Sequence, residues 1–163
     1  MEKKLSSAAH RSKPSLIGPT EKPPQYNILL VEDNLINQKV LKNSLLRHGF
    51  SVQVSNNGLE AIKFLKTTKC WNSCNMQSET QTAVDLILMD IEMPVMDGLE
   101  CAKAIRAAQA DGTVGRHIPI VAVTANARPA QLEAALDAGM DDTIVKPFRI
   151  TDLEPILHRF LVM

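Results

Sequence analysis

The chain has 163 residues, 45% of them hydrophobic and 22% charged, enough to build the core of one ordinary globular domain. Its 18 basic and 18 acidic side chains leave no formal net charge, so there is no overall basic field to hold nucleic acid or a membrane surface. Apolar runs such as Leu86 to Met89 are far too short to span a bilayer, and Cys70, Cys74 and Cys101 form neither a disulfide framework nor a four-ligand zinc pattern. Free thiols of this kind point to a reducing compartment, the cytoplasm or the nucleus.

Residues 1–25 carry five basic and two acidic side chains, a local charge of +3, with Pro14, Pro19, Pro23 and Pro24 and no hydrophobic period. They read as a disordered tail or linker. The start has no apolar segment of the secretory kind, and Glu2 with the prolines interrupts any amphipathic presequence.

From Tyr26 to Met163 the pattern is that of one folded domain. It predicts a strand at Asn27–Val31, a helix at Leu35–Arg47, a strand at Ser51–Val54 and a helix at Leu59–Lys66. A polar stretch at 67–83, TTKCWNSCNMQSETQTA, follows as a surface insertion longer than usual helix-to-strand connections. Trp71 within it is expected to pack on the nearest helix rather than to wait for a partner. Strands at Val84–Met89, Ile118–Thr124 and Thr143–Val145 then alternate with helices at Leu99–Ala110, Pro129–Ala138 and Ile150–Phe160. Five strands alternating with five helices imply right-handed crossovers and a parallel sheet covered on both faces. The near-continuous apolar strands agree, because parallel strands are buried on both sides. The expected fold is α/β, a doubly wound five-stranded parallel sheet of the flavodoxin-like (βα)5 type with strand order 2-1-3-4-5.

In that architecture ligands bind beyond the carboxyl ends of the strands. Strand one ends on Glu32 and Asp33, strand three on Asp90, strand four on Thr124 and strand five on Lys146. Each has an ordinary structural use alone, such as capping the next helix, but their convergence at one edge calls for another explanation. Three carboxylates in one pocket repel one another unless a cation sits among them, and an all-oxygen set suits Mg²⁺. An Asp carboxylate can attack phosphorus to give an acyl phosphate, while a Lys ammonium and a Thr hydroxyl hold the transferring oxygens. Ala125, next to Thr124, is small enough to leave room for the phosphoryl group.

The stretches ILLVEDNLINQKV, DLILMDIEMPVMDGLE, IPIVAVTANA and GMDDTIVKPF occur in that order, and through them the chain resembles a response-regulator receiver domain, most closely the receivers of hybrid histidine kinases. The resemblance implies a two-component phosphorelay protein, a phosphoacceptor that catalyses its own phosphorylation and dephosphorylation rather than an enzyme with a separate substrate. Asp90 would be the phosphoacceptor, and Asp33, Asp90, the backbone carbonyl of Glu92 and, through water, Glu32 would hold Mg²⁺. Thr124 would follow the phosphoryl group and Lys146 would bond it, with the Lys146-Pro147 bond cis. Glu92 and Asn126, each two residues beyond Asp90 and Thr124, would tune the phosphate lifetime. The family usually has Tyr or Phe three residues before the lysine, where this chain has Thr143, so the signal carried by that ring should be weakened or altered.

On a helical wheel Leu41 and Leu45 share the core side of the first helix, whereas Ile36 and Leu46 fall among Lys39, Lys42, Asn43 and Arg47. Ile36, with Pro147 and Phe148, forms a candidate docking patch for a histidine phosphotransfer protein or histidine kinase. The chain is expected to be monomeric, without nucleic-acid or membrane contact. No output domain is legible after the fifth helix, so it reads as a lone receiver or a piece of a larger sensor kinase. Two alternatives are a receiver-like binding module that works without phosphorylation and a small aspartyl-phosphate phosphohydrolase. The order of the acidic motifs disfavours the phosphohydrolase, and the full acid, Thr and Lys set disfavours the silent module.

Overall fold

A computed structural model describes residues 25–71 and 82–161; the predicted tail, Cys74 and the centre of the predicted insertion lie outside the described residues. The elements are β1 (Asn27–Val31), α1 (Leu35–Arg47), β2 (Ser51–Ser55), α2 (Gly58–Leu65), β3 (Leu86–Asp90), α3 (Gly98–Ala110), β4 (Ile120–Thr124), α4 (Pro129–Asp137), β5 (Asp142–Val145) and α5 (Ile150–Phe160). All strands are parallel, in the order β2-β1-β3-β4-β5, as the alternation of elements predicts.

Two strands start later than their apolar runs suggest. In β4, Pro119 has no N–H to give to a ladder, although its carbonyl accepts from Ile87 N at 2.9 Å. Before β3, Val84 is occupied elsewhere: its N–H lies 3.4 Å from Cys70 Sγ, and its carbonyl accepts from Arg116.

β3 and β4 are buried throughout, and their side chains alternate between two cores. Leu29, Val31, Ile87, Met89, Ile120 and Ala122 pack on the α2, α3 and α4 side, while Ile28, Leu30, Leu88, Val121, Val123 and Ile144 pack on the α1 and α5 side. Leu45 and the partly buried Leu41 supply the inner stripe of α1. Local signals set where helices begin. Asn34 accepts from the N–H groups of Ile36 and Asn37 at 2.9 and 3.1 Å, and Asp97 with Glu100 forms a reciprocal capping box on α3.

The ends of the 67–83 stretch are less solvated than its composition suggests. Trp71 is only 8% exposed and joins the α2/α3 core, and its main chain makes an antiparallel bridge with Val114 in the α3–β4 connection. Lys66 Nζ stands 5.6 Å from its ring centroid.

The β3–α3 loop is held tightly against the strand it follows. Gly98 N–H donates to Ile91 O at 2.9 Å, and a Cβ at Gly98 would lie 2.2 Å from the carbonyl oxygen of Asp90, a backbone atom that cannot yield by a rotamer change. Gly98→Ala is therefore expected to cost roughly 2 kcal/mol, read as a lower urea-unfolding midpoint, and to shift the amide resonances of 90–98.

Candidate functional site: a carboxylate cluster bridged by lysine

The register explains why the acids meet. Val31 pairs with Met89 across β1 and β3, so the residues one step beyond, Glu32 and Asp90, emerge side by side at the carboxyl edge. Carboxylate oxygens of Glu32, Asp33 and Asp90 all lie within 4.8 Å of one another, Glu32 and Asp90 buried and Asp33 exposed at the rim. Lys146 reaches between them from the end of β5: its Nζ donates to Glu32 Oε2 at 2.6 Å and to Asp90 Oδ2 at 2.8 Å. The Lys146-Pro147 bond is cis, and the Lys146 N–H donates to Thr124 O at 2.7 Å, which ties this loop to the end of β4.

Each acid has further fixed partners. Glu32 Oε1 accepts from Asn34 N at 3.2 Å and from Asn37 Nδ2 at 3.3 Å, and Asp90 Oδ1 accepts from Glu92 N at 3.2 Å. The buried Thr124 hydroxyl is turned onto its own loop, accepting from Asn126 N at 3.0 Å and donating to Asn126 O at 3.2 Å.

The electrostatics favour an incoming cation. Three carboxylates face one ammonium, so two negative charges lack a partner among them. Burial raises the pKa of Asp90, and the Glu32 charge pushes the same way, against the hydrogen bond and charge of Lys146. For Lys146 burial opposes the charge, but hydrogen bonds and charge from Asp90 and Glu32 outweigh it and raise its pKa. The donors are all hard oxygens and include an exposed carboxylate, a set that fits Mg²⁺ rather than a soft metal.

Beside the cluster a groove of about 510 Å³ runs between α1 and the β5–α5 loop, lined by Val40, Leu41, Ser44, Lys146, Pro147 and Phe148 among others. Ile36 is 74% exposed but lies outside this lining. Its neighbour one turn on, Val40, is 66% exposed and forms part of the wall. Phe148 is partly buried against the α1/α5 core, and Pro147 is exposed. Asn37, Val40 and Gln131 are site neighbours that no strand-end pattern marks. For Val40 the i, i+4 spacing from Ile36 was the available signal. Thr143 pairs with Ala122 on the α4 side of β5 and is half-buried.

A family model described as the response regulator receiver domain matches residues 28–158. The chain belongs to the response regulator receiver family. This receiver is 39% identical over 120 residues to hybrid signal transduction histidine kinase I of Dictyostelium discoideum, a match covering 74% of this chain and 6% of that protein. It is 32% identical to probable histidine kinase 1 of Oryza sativa subsp. indica, covering 82% of this chain and 15% of the relative. The chain thus spans only a small part of the curated relatives it matches. Among solved structures it resembles the receiver domain of sensor histidine kinase PA1611 from Pseudomonas aeruginosa, which has a magnesium ion in its active-site cleft (TM-score 0.69, 35% identity, 86% of this chain and 100% of that one). It also resembles a chain of the Saccharomyces cerevisiae complex between the histidine phosphotransfer protein Ypd1 and the receiver domain of Ssk1 (TM-score 0.71, 31% identity, 88% of this chain and 93% of that one). The receiver is accordingly a signalling domain of a two-component phosphorelay.

Opposite stability effects are expected at the two ends of the lysine bridge. An acid whose pKa is raised on folding opposes folding once it ionises, a cost that sets in as pH rises through its unfolded value. At pH 7 without divalent cations, Asp90→Asn should be at least as stable as wild type. Lys146→Met should lose roughly 2 kcal/mol by stranding two buried carboxylates, both read from urea unfolding.

Proposed function

We propose that this receiver accepts a phosphoryl group on Asp90 from a phosphohistidine donor, in a Mg²⁺-dependent reaction, and either switches conformation or passes the phosphate on. The observation that carries this is the Lys146 ammonium bridging Asp90 and Glu32 inside a group of three carboxylates.

A carboxylate oxygen of Asp90 attacks phosphorus in line. The O–P bond forms as the P–N bond of the donor breaks, its electron pair staying with the imidazole. Lys146, already 2.8 Å from Asp90, is positioned to bond a phosphoryl oxygen, and rotation of the Thr124 hydroxyl off Asn126 would supply a second donor. Asp33, Asp90 and the Glu92 carbonyl would hold Mg²⁺, with Glu32 acting through water. When bound, the ion neutralises charge on the transferring group. The same groups, with water as the incoming nucleophile, serve the receiver's own dephosphorylation.

The donor would be a histidine phosphotransfer protein or a histidine kinase. The Ypd1–Ssk1 neighbour supports this reading, and so do the groove residues Val40, Pro147 and Phe148 beside the acids, with the exposed Ile36 one turn before Val40 on α1. With Thr143 in place of an aromatic ring, output from the α4 side of β5 would run without a ring rotation.

Beryllofluoride with Mg²⁺ should bind wild type and shift the amides around Asp90, Thr124 and Lys146. Asp33→Asn should weaken Mg²⁺ binding roughly tenfold or more, and Asp90→Asn should abolish beryllofluoride binding. No binding by wild type would leave a silent module.

Docking and chemistry separate in a second measurement. Ile36→Asp should slow transfer from a phosphohistidine donor on the order of tenfold while leaving labelling by acetyl phosphate intact. Equal loss with both donors would assign Ile36 to folding.

A further inference from the structure

Gln131 lies in the first turn of α4, three residues after the cap residue Arg128. A Gln there ordinarily reaches back to the N–H of the cap residue. Here that N–H is taken by Asn126 Oδ1 at 3.0 Å, and the Gln131 amide points the other way. Its Oε1 accepts from Asn126 Nδ2 at 2.8 Å, and its Nε2 donates to Glu92 Oε1 at 3.1 Å. The polarity runs in one direction, from the Arg128 N–H through both amides to a carboxylate that can only accept, so the orientation of each amide is fixed by its neighbours.

This chain of bonds crosses from one loop to another. Glu92 lies two residues beyond Asp90 and its N–H holds Asp90 Oδ1; Asn126 lies two beyond Thr124 and holds the Thr124 hydroxyl. Gln131 therefore joins the two loops that follow Asp90 and Thr124. It also occupies an oxygen of Glu92 that could otherwise take a proton from an attacking water.

We infer that Gln131 is a positioning residue that straps Glu92 to Asn126 and so shields the aspartyl phosphate of Asp90 from hydrolysis. This rests on the proposed phosphorylation of Asp90. Cutting the strap should speed hydrolysis for two reasons, an open path for water and a freed carboxylate beside it.

The test uses the full chain labelled by acetyl phosphate with Mg²⁺, then freed of donor, with loss of label from Asp90 followed over time. Gln131→Leu should shorten the half-life on the order of fivefold, the effect of releasing one or two hydrogen bonds, with an unchanged unfolding midpoint. Q131E keeps the side-chain volume but sets two carboxylates against each other, and should shorten the half-life as well, which covers the case in which the Leu variant folds poorly. The double variant E92Q/Q131E exchanges donor and acceptor at that end of the strap and should lengthen the half-life again relative to Q131E. In an Glu92→Ala background, Gln131→Leu should have no further effect, because the strap is already cut. A half-life unchanged or lengthened in the single variants, or fully additive effects of Glu92→Ala and Gln131→Leu, would overturn the inference while leaving Asp90 as phosphoacceptor. Failure of wild type to take label on Asp90 would overturn both.

Discussion

The structure is organised around a crowding of like charge. Pairing β1 with β3 sets Glu32 beside Asp90, Asp33 joins them at the rim, and the single ammonium of Lys146 has to reach across from β5. The lysine offsets only part of the cost, since burial, with the Glu32 charge as a smaller contribution, still raises the pKa of Asp90. A ligand that brings positive charge into the cluster relieves what folding created, and the same strain makes the site sensitive to what binds there. Burial and like charge thus work against stability at this edge, while the buried strands behind it supply the cohesion that tolerates the conflict.

The sheet separates the surroundings of the cluster into two sides of different character. On the α1 and α5 side the groove between α1 and the β5–α5 loop offers apolar contact next to the acids. On the α4 side the connections are polar: Asn126 and Gln131 carry a directed line of hydrogen bonds from the start of α4 to Glu92. That second side is also where Thr143 and Ala122, both small, stand in adjacent strands. In this receiver a line of hydrogen bonds therefore joins Glu92 to the start of α4 on the side where a large ring is missing.

Gln131 also illustrates how a local rule is redirected by its surroundings. Its position in α4 is the ordinary one for a capping box, yet Arg128 has no side-chain oxygen to complete such a box, and Asn126 satisfies the cap N–H instead. The Gln amide is left to find partners elsewhere, and the nearest are two residues whose places are set by β3 and β4. Trp71 follows the same logic: a polar neighbourhood in sequence marks a surface loop, whereas a main-chain bridge to Val114, far along the chain, accompanies its burial in the α2/α3 core.

Sequence by itself determined the alternation of strands and helices, the strand order and the acids, threonine and lysine that end the strands. The physical reason is that apolar runs, caps and strand-end position are local, and a parallel sheet converts strand ends into neighbours by a general rule. It also marked Ile36, because an apolar residue on a charged helix face is visible on a wheel. Only the tertiary structure decided that Val40 rather than Ile36 walls the groove and that Lys146 bonds Glu32 as closely as Asp90. The same holds for the Gln131 link between Glu92 and Asn126. Those outcomes depend on distances between residues tens of positions apart and on which donors are already taken, and neither quantity is encoded in a local pattern.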